Sequence, residues 1–354
     1  MAATNSLRMV RHSQKAQPQG AMLVGSPLFH VNGSHVALFP GIAIGAKLVL
    51  MYKWDAEKAL RLVQDERVQL LVGVPTMTYE LVNHPRFREY DTSSMVQVGG
   101  GGAAFAAPMI KRVTDQFKNA RAGTGYGLTE TNAISIVMPA SLFPFRPTSC
   151  GLPVANSQVC ILDDEGKKAA TGEVGEICHR GAMIMKEYWK KPDKTAEAFH
   201  IDAEGKLWFR SGDIGKVDAQ GFVYIVDRAK DIIIRGGENI SCGEVEGAIF
   251  EHPAVAEIVA FGLPDDTLGE VVAVAVVFKE GEQAPSDEEL RRFAEERLAR
   301  FKVPSILVRW EGGGLPRGAT GKIQRREIRE RVAAAARSRG VTAALPSTPA
   351  PRSR

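Results

Sequence analysis

Gly123-Thr124-Gly125-Tyr126-Gly127-Leu128-Thr129-Glu130-Thr131 is the stretch that decides what kind of chain this is. Glycine lets a backbone approach a ligand closely, because no Cβ stands in the way. An aromatic ring between glycines can cover a flat base. The Thr129 hydroxyl can hold a phosphate, and the Glu130 carboxylate can hold Mg²⁺, which takes oxygen ligands. Every element of the run therefore suits a metal nucleotide. By itself, a glycine-rich turn followed by Thr-Glu is more often a loop capping a helix, so the choice rests on its surroundings.

Upstream, a short strand ending at Val98 runs into Gly99-Gly100-Gly101-Gly102-Ala103-Ala104. The bland alternative is a flexible linker. A linker would seldom separate a buried strand from an amphipathic helix, here one starting near Pro108, and close packing of this backbone against a ligand is favoured. Downstream, Ser211-Gly212-Asp213 follows the strand Leu207 to Arg210, and Tyr224-Ile225-Val226-Asp227-Arg228-Ala229-Lys230-Asp231 follows the next turn. Asp213 can accept bonds from two ribose hydroxyls while Arg228 supports the same sugar. Alone, this pair reads as a surface salt-bridge cluster. Near the end, Leu315-Pro316-Arg317-Gly318-Ala319-Thr320-Gly321-Lys322 puts one lysine on a glycine turn ahead of a basic helix. A mobile cation that meets a phosphate in only one conformation lowers the barrier of phosphate chemistry selectively. In isolation such a lysine is solvated surface.

Short apolar runs (Ala21 to Val24, Ala46 to Met51, Val68 to Val74, Met95 to Val98, Val159 to Leu162) alternate with amphipathic stretches such as Asp55 to Gln64 and Pro108 to Phe117. That pattern predicts βα units around a mainly parallel sheet, an α/β body. After about residue 150, closely spaced strands with turns such as Asp163-Asp164-Glu165-Gly166 and Asp218-Ala219-Gln220-Gly221 predict an antiparallel β region. From Asp231 a fresh α+β pattern begins. It has helices over Glu244 to Glu251 and Ser286 to Arg300, the second opened by a Ser286/Glu289 capping box, and strands over Ile258 to Phe261 and Val271 to Phe278. Ala333 to Arg354 reads as a disordered tail after a last helix.

The 354 residues suffice for a large core and a smaller domain. With 45 basic and 41 acidic residues the net charge is +4, too balanced for a nucleic-acid-binding footprint. Cys150, Cys160, Cys178 and Cys242 form no CxxC pair and no zinc-like spacing with the seven histidines, which predicts a reducing setting. No apolar run reaches the roughly 20 residues of a membrane span, and no signal core opens the chain. A cytoplasmic location is expected. The acid-poor first 54 residues leave organellar import open, and the C-terminal Pro-Arg-Ser-Arg is no peroxisomal address.

In this order and spacing, these motifs together with Ser26-Pro27-Leu28-Phe29-His30-Val31, Gly172-Glu173-Val174-Gly175-Glu176 and Arg235-Gly236-Gly237-Glu238-Asn239-Ile240 resemble the adenylate-forming superfamily. That superfamily comprises acyl-CoA synthetases, aryl-CoA ligases, firefly luciferase and nonribosomal peptide adenylation domains. The resemblance covers about Ser26 to Arg331. It implies a two-step reaction: a carboxylate attacks the α-phosphate of Mg-ATP to give acyl-AMP and pyrophosphate, then a thiol, normally that of CoA, attacks the acyl carbon. Thr129 would hold the phosphate and Glu130 the Mg²⁺. Tyr126 and the Gly101-Gly102-Ala103 backbone would line the adenine, and Asp213 with Arg228 the ribose; Gly125, Gly127 and Ile225 complete the nucleotide set. Lys322 would stabilise charge at the α-phosphate. Lys230 matches the hinge between an adenylation body, residues 1–229, and a mobile small domain, residues 230–335, with a tail over 336–354. Its rotation would withdraw Lys322 and bring Gly236 and Gly237 to the pantetheine thiol. His30, Gly99, Gly127 and Leu128 would border the acyl group, and the glycines at 99 and 100 hint at room for a bulky one. The Arg235 to Ile240 run favours an acid:CoA ligase, for a fatty or aryl acid, over a carrier-protein-loading domain.

One departure stands out. Members of the superfamily carry, ahead of the Phe29-His30 motif, a Ser/Thr/Gly-rich loop ending in Pro-Lys-Gly that wraps the β- and γ-phosphates, and nothing between Met1 and Ser26 resembles it. Losing one preorganised donor at a developing charge costs about 10²- to 10³-fold in rate. Two expectations follow: an N-terminally incomplete ligase, or a short, catalytically impaired protein that binds nucleotide or another protein. Absence of a sheet layer would also expose strand edges and apolar faces.

Overall fold

The computed structural model describes residues 20–101, 107–279, 281–311, 313–318 and 322–339, and the chain divides between Ile225 and Val226 into two compact units.

In the first unit, strands β1 (Ala21–Val24), β2 (Lys47–Leu50), β3 (Val68–Gly73), β4 (Gln97–Gly101), β5 (Arg121–Tyr126), β6 (Ile136–Met138) and β7 (Leu152–Pro153) form one sheet, in the order β2-β1-β3-β4-β5-β6-β7. The first five are parallel to their neighbours, and β6 and β7 are antiparallel. Helices Ala56–Asp65, Pro75–Val82 and Ala107–Gln116 supply the crossovers. The first begins at Asp55, whose carboxylate accepts the Lys58 amide at 2.7 Å, and it buries Ala59, Leu60 and Val63 at helical spacing. These side chains join Leu23, Leu71, Val98 and Val113 in the main core. The edge strand β2 exposes Leu50, and Phe29, Phe39, Ile42 and Tyr52 are exposed as well.

A second sheet holds β8 (Ser157–Leu162), β9 (Gly175–Gly181), β10 (Phe199–Ile201), β11 (Leu207–Val217) and β12 (Val223–Arg228), in the order β10-β11-β9-β8 with β12 on β11. Its turns repeat one device. The Oδ1 atoms of Asp163, Asp202 and Asp218 each accept two backbone amides, two and four residues ahead, at 2.8–3.1 Å.

In the second unit, β13 (Ile233–Arg235), β14 (Glu238–Ile240), β15 (Val255–Asp265), β16 (Gly269–Phe278) and β17 (Ile306–Arg309) run β14-β13-β16-β15, with β17 parallel on β16. Alternate residues of β16 enter two cores: Val272, Val274 and Val276 one, Val271, Ala273 and Ala275 the other. Burial on both faces explains the unbroken apolar run. Helices Cys242–Phe250 and Asp287–Glu295 contribute to the first core, and Ile328 and Val332 of helix Arg325–Arg339 to the second.

Several element boundaries differ from those expected, among them β11 and β15, which run longer, and the helix Cys242–Phe250, which starts earlier. Strand β4 continues through Gly101 instead of ending at Val98, because Gly99, Gly100 and Gly101 pair in register with Gly123, Thr124 and Gly125. The capping box at Ser286 is present, but its helix stops at Glu295. Residues 333–339, expected in a tail, belong to the last helix, as alanine's helix propensity allows; the rest of that tail lies outside the described residues. No helix among the described residues is long and apolar enough to cross a membrane.

Candidate active site

Parallel strands deliver the segments that follow them to one end of a sheet, and in open α/β sheets that carboxyl end is where ligands bind. Here β1 leads to Ser26–His30, β4 ends at Gly101, and β5 ends at Tyr126, directly ahead of Leu128-Thr129-Glu130. The segment after β1 is tied to the end of β3, since the Asn32 side-chain Nδ2 donates to Ser26 Oγ and to the Gly73 carbonyl, both at 2.9 Å. His30 is partly buried there, its Nδ1 accepting the Asn32 amide at 3.2 Å.

After Tyr126 the backbone doubles back. The buried Thr131 hydroxyl accepts the Leu128 amide at 2.8 Å and donates to the Ala133 carbonyl, also at 2.8 Å. A Cβ at Gly127 would lie 1.7 Å from the Ala133 oxygen, so only glycine fits. Asn132 and Ala133 have φ of 57° and 83°, left-handed values that L-residues adopt only under local constraint. The turn leaves the Thr129 side chain exposed. Glu130 is instead held: Tyr188 donates its hydroxyl to Oε1 at 2.9 Å, and the Met185 amide binds the Glu130 carbonyl at 2.7 Å. Burial, and then the Glu130 hydrogen bond, push the Tyr188 phenol up to about 12, so it stays a donor at neutral pH.

Tyr126 and Asp213 come together. The Tyr126 hydroxyl donates to Asp213 Oδ2 at 2.5 Å, joining the end of β5 to a bulge in β11. Between the register pairs Arg210↔Cys178 and Ile214↔Glu176, three residues of β11 oppose one of β9, and Gly212 takes φ of 71°. Ser211 fixes the bulge by donating to the Ile177 carbonyl at 2.6 Å and accepting the Asp213 amide at 3.0 Å. Asp213 is 3% exposed. Burial first, and the Asp213 charge second, hold the Tyr126 phenol far above its ordinary range.

Below Tyr126, with ring centroids 5.6 Å apart, lies His179 on β9. It is fully buried, neither ring nitrogen has a hydrogen-bond partner, and burial lowers its pKa to about 4. Neither Tyr188 nor His179 carried a sequence signal: one sits in an unpatterned Lys-Glu-Tyr-Trp run, the other in an ordinary strand.

The glycines of β4 have a different role from the acyl-room hint. A Cβ on Gly99 would stand 2.4 Å from the Gly123 oxygen, and one on Gly100 2.7 Å from the Val74 carbonyl carbon. Neighbouring backbone fills those directions, so the glycines permit close strand packing and say nothing of acyl size. Gly102 and Ala103 lie outside the described residues.

The remaining candidates lie at the end of the first unit and in the second. Ile225, the last residue of the first unit, is 40% exposed, and Arg228 and Lys230 are exposed. Gly236 and Gly237, with φ of 59° and 86°, are the two central residues of the hairpin pairing Arg235 with Glu238. Positive φ at both positions is what such a two-residue turn requires. Lys322 is partly buried on a hairpin in which Arg317 bridges Ile323, and its carbonyl accepts the Gly318 amide at 2.9 Å.

Mg²⁺ is commonly held by one or two carboxylates, with phosphate and water oxygens completing the shell. Glu130, partly exposed and oriented by Tyr188, fits that donor set, and among the described residues no cluster of three or more His, Cys, Asp or Glu offers an all-protein site.

Residues 1–189 match the model of the AMP-binding enzyme family, and residues 244–322 match that of the AMP-binding enzyme C-terminal domain. A long-chain-fatty-acid–CoA ligase of Bacillus subtilis (strain 168) is 38% identical over 308 residues, 86% of this chain and 53% of that protein. A feruloyl-CoA synthase of Amycolatopsis sp is 36% identical over 309 residues, 87% of this chain and 61% of that one. The chain thus spans between about half and three fifths of the length of these curated relatives. Among solved structures, the o-succinylbenzoate coenzyme A synthetase of Bacillus subtilis in complex with ATP and magnesium ion superposes with a TM-score of 0.79 at 28% identity, over 92% of this chain and 65% of that one. With family matches in both units and mixed α/β bodies that superpose on such synthetases, the chain belongs to the AMP-binding, adenylate-forming enzymes.

Proposed function

We propose that this chain carries the catalytic machinery of an AMP-forming acid:CoA ligase, which activates a fatty or aryl carboxylic acid with ATP and passes the acyl group to CoA. The observation that carries the proposal is the pairing at the end of β5: Asp213 bound to Tyr126, and a few residues on Glu130 oriented by Tyr188 beside an exposed Thr129. A buried carboxylate suits ribose hydroxyls, an exposed hydroxyl suits phosphate, and an oriented carboxylate suits Mg²⁺.

In the first half-reaction the acid's carboxylate oxygen attacks the α-phosphorus and pyrophosphate leaves. Tyr126 and the Gly101, Gly102, Ala103, Gly125 and Gly127 backbone would hold the base. Asp213, with Ile225 and Arg228, would hold the ribose, and Thr129 the phosphate. His30, Gly99 and Leu128 would border the acyl chain. Mg²⁺, when bound at Glu130, would neutralise phosphate charge. The Lys322 ammonium would stabilise the charge that builds on the α-phosphate, an interaction worth most in the transition state. In the second half-reaction the CoA thiol attacks the acyl carbon and AMP leaves, with Lys230 as pivot and Gly236 and Gly237 beside the pantetheine.

The test is acid-dependent exchange of labelled pyrophosphate into ATP, with palmitate and ferulate as probes. Exchange is expected with at least one acid, and Lys322→Ala should lower it about 10²-fold or more while AMP binding, followed by calorimetry, persists. AMP binding without exchange from either acid would overturn the ligase assignment.

A further inference from the structure

Among the described residues, the incoming strand of the hairpin that carries Lys322 is bound by the carboxylate of Glu257. Glu257 lies on β15 where its register with β16 shifts, and its two oxygens are divided between two partners. Oε2 accepts the Leu315 amide at 2.9 Å, and Oε1 accepts the Arg317 guanidinium at 2.8 Å. The Leu315 side chain is itself buried in the core beneath the last helix. Beyond it the hairpin closes by the Arg317–Ile323 bridge, by the Gly318 amide on the Lys322 carbonyl at 2.9 Å, and by the Gln324 amide on the Pro316 carbonyl at 2.8 Å. On the outgoing side, Arg325 enters the last helix bound to Asp231 at 2.8 Å and Glu246 at 2.7 Å.

We infer that Glu257 is a positioning residue for Lys322, holding the strand from which the lysine's hairpin rises; this rests on the role given to Lys322 above. A lysine side chain is a point charge on a flexible four-carbon stem, so the backbone beneath it decides where the charge dwells. Stabilising a transition state demands a preset position, and a loosened stem spreads the ammonium over many. The bond to Leu315 is the stronger tie, because a carboxylate accepts a backbone amide that would otherwise lose its partner. The pair with Arg317, with side chains 30% and 25% exposed, adds less by itself.

The experiment compares the full chain with Glu257→Ala, Glu257→Gln, Lys322→Ala and the Glu257→Ala/Lys322→Ala double variant. Pyrophosphate exchange is measured with palmitate and ferulate, and thioester formation from preformed palmitoyl-AMP and CoA. Glu257→Ala should cut kcat of the adenylation half about tenfold, with the ATP KM and the thioester half both within about twofold. Glu257→Gln should recover most of that loss, since its amide oxygen still accepts the Leu315 amide. In the Lys322→Ala background, Glu257→Ala should cost less than about twofold more, because the residue it positions is gone. Equal loss in both half-reactions, or full additivity with Lys322→Ala, would overturn the positioning role and leave Glu257 a stabilising residue only. A wild-type chain with no exchange would instead overturn the ligase reading and this role with it.

Discussion

Two side chains at the end of β5 and on β9 show how burial assigns work to a residue. Tyr126 and Asp213 are 87 positions apart in sequence and share a 2.5 Å hydrogen bond to a charged oxygen. Tyr126→Phe should therefore cost about 1.5–3 kcal/mol of stability, measured by urea denaturation. His179 is the opposite case, a buried polar ring without partners. His179→Val should raise stability by about 1–2 kcal/mol, read as a higher melting temperature, since it removes a desolvated group that gains nothing in return. The same histidine gives a pH dependence. Its folded-state pKa, about 4, lies below the ordinary 6.5, so the unfolded chain takes up the proton first as pH falls. Stability is then lost between pH 6.5 and 4, by at most about 3 kcal/mol, and His179→Val should flatten that part of the profile.

At the scale of elements, caps and turns behaved as their chemistry dictates. Asp55 and Ser286 start helices with side-chain bonds to the amides of Lys58 and Glu289, and the Ser286/Glu289 box is reciprocal. Ser286→Ala should destabilise the second unit by about 1 kcal/mol in chemical denaturation, with no change in the slope of the transition. Strand β4 was harder to read. A glycine run has no side chains to betray a strand, and its hydrogen bonding to β5 and β3 is a property of neighbours remote in sequence. The end of the helix at Glu295 was equally invisible, with no Gly or Pro to mark it.

For the whole molecule, the division between Ile225 and Val226 leaves the second unit with two cores of its own on the faces of one sheet. Residues 226–354 expressed alone should fold and melt in a single cooperative transition by circular dichroism, because among the described residues those cores are built from the second unit itself. A broad, non-cooperative melt would show that the unit needs the rest of the chain. In the first unit, Leu50 of strand β2 and Tyr52 just beyond it are exposed apolar side chains at the end of the sheet order among the described residues.

The sequence by itself determined the order of βα units, the antiparallel region, the separate α+β unit and the family, because apolar period, turn residues and ordered motifs are local properties of the chain. It also singled out Tyr126, Thr129, Glu130, Asp213 and Lys322 as candidates, the residues to which the proposed function gives roles. Only the tertiary structure decided what each of them touches: that Asp213 meets Tyr126, that Tyr188 holds Glu130, and that Glu257 anchors the hairpin of Lys322. Those partners lie 58 to 87 residues apart, and such a pairing exists only once the strands between them have taken their register.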